Sequence, residues 1–222
     1  MFFFSDESIE FLPFSYTMKG RKEMGAMNVG SAEKLMLAVM IGVPFFSSSA
    51  AEPVSVPALP EAIASPHTVR SEGTVQAAFS PHGGGQEIIE GAIQEASHSV
   101  MVQAYLFSNK GIAEQLEEAQ KRGVSVQVVL DSSQEKKGNR LVEKLISEGI
   151  QVRVDHDFHV AHNKVMIIDR RTVVTGSFNY TSASENRNEE NVLVIRGNQK
   201  LADLYTENWE WRWNHSQNWD PK

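Results

Sequence analysis

Residues 162–179 limit the possible fold and function of this chain most, because chemically active side chains flank short apolar runs there at fixed spacing. These side chains belong to His162, Lys164, Asp169, Ser177 and Asn179. The apolar run after Lys164 predicts a strand, and residues two apart on a strand point to the same face. His162 and Lys164 are therefore expected to share a face, and so are Ser177 and Asn179. A converging imidazole, ammonium, hydroxyl and amide form a site for a tetrahedral oxyanion, above all phosphate.

The stretch reads H-x-K, four residues, D, six residues, G-S-x-N, and it resembles the HKD motif of the phospholipase D superfamily. Every fixed position matches, namely His162, Lys164, Asp169, Gly176, Ser177 and Asn179. Fixed residue types at fixed spacing rarely coincide by chance. The alternative to this resemblance is a plain strand hairpin with a hydrogen-bonded His and a surface Lys. The resemblance implies a phosphodiesterase that needs no metal or cofactor, because side chains stabilise the phosphate charge.

The resemblance also implies a role for each motif side chain. His162 would attack phosphorus and form a phosphohistidine. Lys164 and Asn179 would hold the non-bridging oxygens, with support from Ser177. Asp169 would brace the hairpin rather than touch the substrate.

Glu190 is a further candidate, because the superfamily's single-motif bacterial endonucleases place a Glu at this offset from the motif His. Its implied role is to accept a hydrogen bond from one ring nitrogen of His162. That bond would fix the tautomer and leave the other nitrogen free to attack. The alternative is that Glu190 only begins the next strand in solvent.

The chain carries one copy of the motif, whereas superfamily enzymes use two, one His as nucleophile and the other as general acid. A single-motif chain must then pair with itself, and a two-fold dimer would bring two motifs face to face. The resemblance thus implies a homodimer with a shared site. A phosphate-binding module without activity is the disfavoured alternative, because no motif residue is missing.

The expected substrate is nucleic acid, with DNA first and RNA second, cleaved by a non-specific endonuclease. The formal net charge of −7 argues against a protein that coats nucleic acid with a generally basic surface, and it leaves only local basic patches possible. Two clusters are candidates for holding the backbone beside the dimer groove: Lys136, Lys137 and Arg140, and Arg170, Arg171 and Arg187. The alternative for these two clusters is that they are plain solvated loops. The alternative function is that of a lipid phosphodiesterase. The lack of cysteine excludes disulfides, thiolate metal sites and a Cys nucleophile.

The chain is expected to have three parts. Residues 1–51 predict an N-terminal extension with a secretory signal peptide, because basic residues precede an apolar run at 35–46 and small residues follow it. The run is shorter than the about 20 residues of a membrane-spanning helix. We expect export to the periplasm or medium, cleavage near Glu52 and no stable membrane association afterwards; an uncleaved anchor is the alternative. Residues 52–73 predict a flexible linker, and residues 74–222 the catalytic domain.

Strand and helix patterns alternate through residues 74–222, which predicts an α/β fold with a mixed sheet sandwiched between helices. The fold of the resembled superfamily agrees with this reading. Gly123 is expected to end a helix in the left-handed conformation. Gly83 to Gly85 precede a helix and predict a turn; anion binding at the helix start is the alternative.

Two further patterns have competing interpretations. The regular spacing of His156, His159 and His162 could indicate a metal site, but the neighbouring ammonium two residues after the last His disfavours a cation. Trp209 and Trp213 lie four apart on the last helix and are expected to pack in the core or at an interface. Stacking on single-stranded bases is the alternative for this pair.

Overall fold

The computed structural model describes residues 56–136 and 139–220 of the chain. The predicted leader, residues 1–51, lies outside the described residues, and so do Lys137 and the side chain of Lys136. Within the described ranges, no helix is long and apolar enough to cross a membrane.

The described part of the chain builds one mixed sheet of eight strands with helices on both faces. The strands are β1 (Thr74–Ser80), β2 (Ser99–Ala104), β3 (Ser125–Asp131), β4 (Gln151–Asp155), β5 (Lys164–Ile168), β6 (Thr172–Gly176), β7 (Glu190–Arg196) and β8 (Gln217–Asn218). The helices are α1 (Gly85–Gln94), α2 (Lys110–Lys121), α3 (Ser132–Lys136), α4 (Arg140–Ser147), α5 (Ser182–Asn186) and α6 (Gln199–His215). The strand order is β1-β7-β6-β5-β2-β3-β4-β8; β2, β3 and β4 run parallel, and the other neighbours are antiparallel. The expected mixed α/β sheet is confirmed.

Alternating apolar residues give the sheet two buried faces. One face packs against α1, α2 and α4, which bury Ile89, Leu116 and Leu145 there. The other face packs against α6, where Trp209 lies in one cluster with Ile167 of β5. Burying a side chain of this size contributes about 1.5–3 kcal/mol, so these layers hold the strands in fixed register.

The Trp pair of α6 belongs to this second layer. Trp209 is buried, stacks on Trp213 with 5.0 Å between the ring centroids, and donates its indole N–H to the carbonyl of Val102 at 3.0 Å. A ring held in this way is not open to a base, so the packing interpretation is confirmed for Trp209. Gly123 follows α2 with a φ of 88°, which confirms the expected left-handed end of that helix.

The sequence patterns do not predict α3, α5, β8 or the 3-10 turn at Glu61–Ile63, because such short elements show no period. The turn lies in the segment 52–73, whose composition predicts a flexible linker. Its described part contacts α6, and Asn198 donates a side-chain N–H to the carbonyl of Arg70 at 2.8 Å. This part of the segment is therefore attached to the domain rather than free.

Most of the motif lies at one edge of the sheet, and Asp169 is the exception. Ala104 at the end of β2 pairs with Lys164 at the start of β5, and Ser80 at the end of β1 pairs with Glu190 at the start of β7. Gly176 ends β6 between β5 and β7 at the same edge. The parallel strands β2, β3 and β4 also end here, which is the usual place for a site in an α/β sheet.

Candidate active site

His162 and Lys164 converge at this edge, although they do not share a strand face. β5 begins at Lys164, so His162 lies in the segment before the strand. The Nζ of Lys164 lies 3.0 Å from the Nδ1 of His162 and donates to the backbone carbonyl of His162 at 2.9 Å. His162 is exposed, whereas Lys164 is only 6% exposed. The pair therefore combines a solvent-facing ring with a buried charge.

Burial sets the electrostatics of this pair. Removal from water lowers the pKa of Lys164 below its ordinary value, and the negative charge of Glu190 offsets part of that change. An ammonium only donates hydrogen bonds, so the Nδ1 of His162 accepts, and a neutral imidazole then carries its proton on Nε2. In this tautomer His162 donates a hydrogen bond from Nε2 and has no free lone pair there. It becomes a nucleophile at Nε2 once Lys164 turns to another acceptor and the proton moves to Nδ1.

Glu190 contacts Ser177 and Asn188 rather than His162 within the described chain, which corrects the predicted hydrogen bond to the imidazole. Its carboxylate accepts from the hydroxyl of Ser177 at 2.7 Å and from the side-chain amide of Asn188 at 3.0 Å. The reason is register, because Glu190 begins β7 beside the end of β6, where Ser177 follows. Glu190 still acts on the site, since its charge favours the ammonium of Lys164.

Ser177 and Asn179 lie beyond the end of β6, so they do not share a strand face as their spacing predicts. Gly176 is required where β6 meets β7, because a Cβ there would lie 2.3 Å from the carbonyl oxygen of Asn191. Ser177 is exposed and accepts the backbone N–H of Asn191 at 3.1 Å. The side-chain oxygen of Asn179 is buried without a hydrogen-bond partner among the described residues. This atom is an acceptor, so a phosphate oxygen, which also accepts, would be bound by the amide N–H groups of Asn179 and not by this oxygen.

Asp169 lies at the turn between β5 and β6, at the opposite end of β5 from Lys164. Its carboxylate accepts the backbone N–H groups of Ser97, His98 and Ser99 at 2.9, 2.7 and 2.8 Å. Partial burial acts to raise the pKa of Asp169, but the three N–H groups outweigh it and place the pKa below its ordinary value. Asp169 thus braces the hairpin against the start of β2 and lies away from the site.

The hairpin also separates Arg170 and Arg171 from the site. Both residues lie in the turn after β5, whereas Lys164 begins that strand. A strand rises about 3.3 Å per residue, so the full length of β5 separates them from Lys164. Arg170 forms an ion pair with Glu210 of α6 there. The predicted place of these two arginines beside the groove is wrong, because an extended strand carries neighbours in sequence to opposite edges of a sheet.

Arg140 and Arg187, the other predicted substrate-binding residues whose side chains the structure describes, lie in segments next to the site edge. Arg187 is exposed and follows α5 directly, beside Asn188, which hydrogen-bonds at the site. Arg140 begins α4, and the preceding Asn139 donates to the carbonyl of Phe107 at 2.8 Å, just beyond β2. Both residues therefore follow an asparagine or precede one that is hydrogen-bonded at or near the catalytic edge.

The spacing of His156, His159 and His162 does not bring three imidazoles together. The Nε2 of His156 lies 3.2 Å from a carboxylate oxygen of Glu135, and His162 faces Lys164. Among the side chains that the structure describes, no three of the His, Asp or Glu type are grouped closely enough to hold a metal ion.

The turn before α1 is not open to an anion, because the chain's own carboxylate occupies it. Glu185 accepts the backbone N–H groups of Gly84 and Gln86 at 3.2 and 2.8 Å. A carboxylate at this position satisfies the free N–H groups of the helix start. The turn interpretation of Gly83 to Gly85 is therefore confirmed.

Tyr105 belongs to the site, although the sequence patterns do not single it out. Its ring centroid lies 4.6 Å from that of His162, and the Nζ of Lys164 lies 5.1 Å from the Tyr105 ring centroid. The one feature that could have indicated Tyr105 is its position directly after β2, a strand that ends at the catalytic edge.

Comparison with known proteins gives matches over most of the folded domain. Residues 89–213 match a family described as cardiolipin synthase, PLD-like domain. Phospholipase D of Rickettsia conorii is 41% identical over 139 residues, which cover 63% of this chain and 69% of that protein. Mitochondrial cardiolipin hydrolase of Homo sapiens is 32% identical over 122 residues, covering 55% of this chain and 48% of that protein.

A solved structure gives the same relationship. The phospholipase D family member Nuc from Salmonella typhimurium is 38% identical, with a TM-score of 0.62, and the match covers 65% of this chain and 97% of that one. The family match contains every residue of the HKD motif and also Glu190. The resemblance that the motif indicates is thus confirmed over a whole domain. This chain belongs to the phospholipase D superfamily and is a phosphodiesterase.

Proposed function

We propose that this phosphodiesterase is a non-specific endonuclease that cleaves DNA, with RNA as the next candidate. The observation that carries the proposal is the open site, in which His162 is exposed at the sheet edge beside the buried Lys164. An exposed nucleophile at an open edge is accessible to a phosphodiester in the middle of a long polymer, which a closed pocket excludes. The resemblance to the superfamily's single-motif endonucleases supports the same substrate.

The proposed reaction uses two copies of His162, because each chain supplies one motif. The Nε2 lone pair of the first His162 attacks phosphorus, and the P–N bond forms while the P–O bond to the leaving group breaks. The second His162, protonated on both ring nitrogens once its Lys164 has turned to the phosphate, gives its Nε2 proton to the leaving oxygen and becomes a neutral imidazole. It then takes a proton from water, whose oxygen attacks phosphorus and releases the first imidazole. Lys164 and Asn179 hold the non-bridging oxygens and stabilise their charge.

The proposed homodimer is supported by an open apolar face of the sheet. The β1–β7 patch consists of the side chains of Val75, Ala77, Phe79, Leu193 and Ile195. The register pairs Val75 with Ile195 and Ala77 with Leu193, and Val75 and Phe79 are 59% and 68% exposed. Contiguous apolar surface of this kind marks an interaction site. The patch reaches the catalytic edge at Phe79, so a second copy seated on it brings a second motif towards the first.

A lipid phosphodiester is the second candidate, because curated relatives carry the names phospholipase D and mitochondrial cardiolipin hydrolase. The deciding experiment offers plasmid DNA, single-stranded DNA, RNA and vesicles of phosphatidylcholine or cardiolipin to one preparation, with His162→Ala as the control. We expect cleavage of nucleic acid that is salt-sensitive, indifferent to sequence and lost in the control. Cleavage of either lipid with intact DNA would overturn the nuclease assignment and leave the phosphodiesterase chemistry.

Arg140 and Arg187 are proposed to hold the nucleic-acid backbone, together with Lys136 and Lys137, which precede Arg140 closely in the sequence. Contacts to phosphate make affinity depend on salt. Arg187→Ala should therefore reduce the slope of log affinity against log salt by about 1, whereas Arg170→Ala, at the far end of the hairpin, should leave it unchanged. Equal slopes for the two variants would show that Arg187 does not contact phosphate and is only a solvated surface residue.

Export to the periplasm or medium is proposed from the leader-like composition of residues 1–51. Sequencing the N-terminus of protein recovered from the producing cells should give a start near Glu52. A chain found in the membrane fraction with residues 35–46 still attached would contradict cleavage.

A further inference from the structure

One aromatic ring contacts both catalytic side chains, and the sheet fixes its place. Tyr105 directly follows β2, whose last residue, Ala104, pairs with Lys164. The same pairing continues one residue further, because the N–H of Tyr105 donates to the carbonyl of Asn163 at 2.9 Å. The backbone of Tyr105 is therefore locked opposite the segment that carries His162.

The contact geometry lets the ring act on both groups. The ring planes of Tyr105 and His162 are tilted by 49° with 4.6 Å between centroids, and the Nζ of Lys164 lies 5.1 Å from the tyrosine ring centroid. The face of an aromatic ring carries partial negative charge and attracts a cation at such a distance. His162 is exposed, so without this neighbour its imidazole would turn more freely.

We propose that Tyr105 is a positioning residue, whose ring orients the imidazole of His162 and holds the ammonium of Lys164 over its face. Both effects matter in the reaction, because the imidazole must aim Nε2 at phosphorus or at the leaving oxygen, and the ammonium holds the phosphate. The ring face suffices for this role, and the phenolic hydroxyl is not needed. The inference rests on phosphodiester cleavage at His162 and not on which polymer is cleaved.

Two substitutions separate the ring from the hydroxyl and from apolar bulk. Tyr105→Phe keeps the ring, and Tyr105→Leu keeps apolar volume without a ring face. With the chromogenic diester bis(p-nitrophenyl) phosphate, Tyr105→Leu should lose about tenfold in kcat, or about 1.4 kcal/mol, with little change in KM. This loss has the size of one cation–π contact to a buried ammonium. Tyr105→Phe should keep the wild-type kcat, and both variants should unfold at the wild-type urea midpoint.

Equal losses in both variants would assign the effect to the hydroxyl and overturn the proposal, as would an unchanged kcat in Tyr105→Leu.

A second measurement needs no activity. The ring protons of His162 should show upfield ring-current shifts by NMR in the wild type and in Tyr105→Phe, and these shifts should be lost in Tyr105→Leu. A wild-type spectrum without them would contradict the stacking itself. Cleavage of the chromogenic diester without cleavage of DNA would refute only the proposed substrate.

Discussion

Replacing Asp169 with glycine tests how strongly the hairpin brace stabilises the fold. The carboxylate accepts three backbone N–H groups, those of Ser97, His98 and Ser99, at 2.9, 2.7 and 2.8 Å. Ser97 and His98 are exposed, so water replaces the carboxylate at their N–H groups, whereas Ser99 is half-buried. A hydrogen bond to a charged group contributes about 1.5–3 kcal/mol, so we expect a loss of about 3 kcal/mol in the free energy of unfolding.

The choice of substitutions separates charge from backbone strain. Asp169 has a φ of 51°, which glycine adopts without strain. Asp169→Asn is the matched control, because asparagine tolerates this φ and keeps an acceptor oxygen but lacks the charge. It should lose about half as much free energy of unfolding as the glycine variant. Urea unfolding followed by tryptophan fluorescence measures both losses.

The pH dependence of this stabilisation has a defined sign. The pKa of Asp169 in the folded protein lies below its ordinary value of 3.8. The stabilisation is therefore complete above that value and is lost as the pH falls through the lower, folded pKa. The wild type and Asp169→Asn should converge in stability below pH 3.8. A glycine variant within about 0.5 kcal/mol of the wild type, or a gap that persists in acid, would refute the reasoning.

Four other tests probe the site and its assembly. Lys164→Met should lower kcat by about 10²–10³, the usual effect of removing one donor to a developing oxyanion. Since burial lowers the pKa of Lys164, wild-type turnover should begin to fall at a pH below 10.5, and a profile flat to that pH would contradict this. Activity should survive exhaustive EDTA treatment; loss on chelation with recovery on zinc or magnesium would contradict catalysis by side chains alone. Phe79→Asp should convert a dimer to a monomer in light scattering, whereas Ile146→Asp, 37% exposed on α4, should leave the mass unchanged.

Local chemistry in the sequence predicts much of this structure. The strands and longer helices follow from apolar periodicity, because each must bury one face or stripe against the sheet. The convergence of His162 and Lys164 is expected from their closeness in sequence, although His162 precedes β5 and does not share a strand face with Lys164. Gly176 is part of the motif for a reason that only the structure gives, namely the close approach of β6 to β7 at Asn191.

Features that depend on register between distant strands could not be predicted in this way. Glu190 lies beside Ser177 because β6 pairs with β7 at that point, so the hydroxyl rather than the imidazole is its partner. Arg170 lies within the motif stretch, directly after Asp169, yet β5 carries it to the opposite edge of the sheet from Lys164. Tyr105 reaches His162 only through the pairing of β2 with β5, which no local pattern specifies.

The account depends most on a covalent bond between His162 and a phosphorus atom of nucleic acid. The direct measurement is a rapid quench of the protein with DNA that carries labelled internal phosphates, followed by peptide mapping, with His162→Asn as the matched control. The account predicts an acid-labile, base-stable label on the peptide that contains His162, and none in the control. DNA cleaved at the normal rate without a labelled peptide at any time, or a label that persists in His162→Asn, would contradict it.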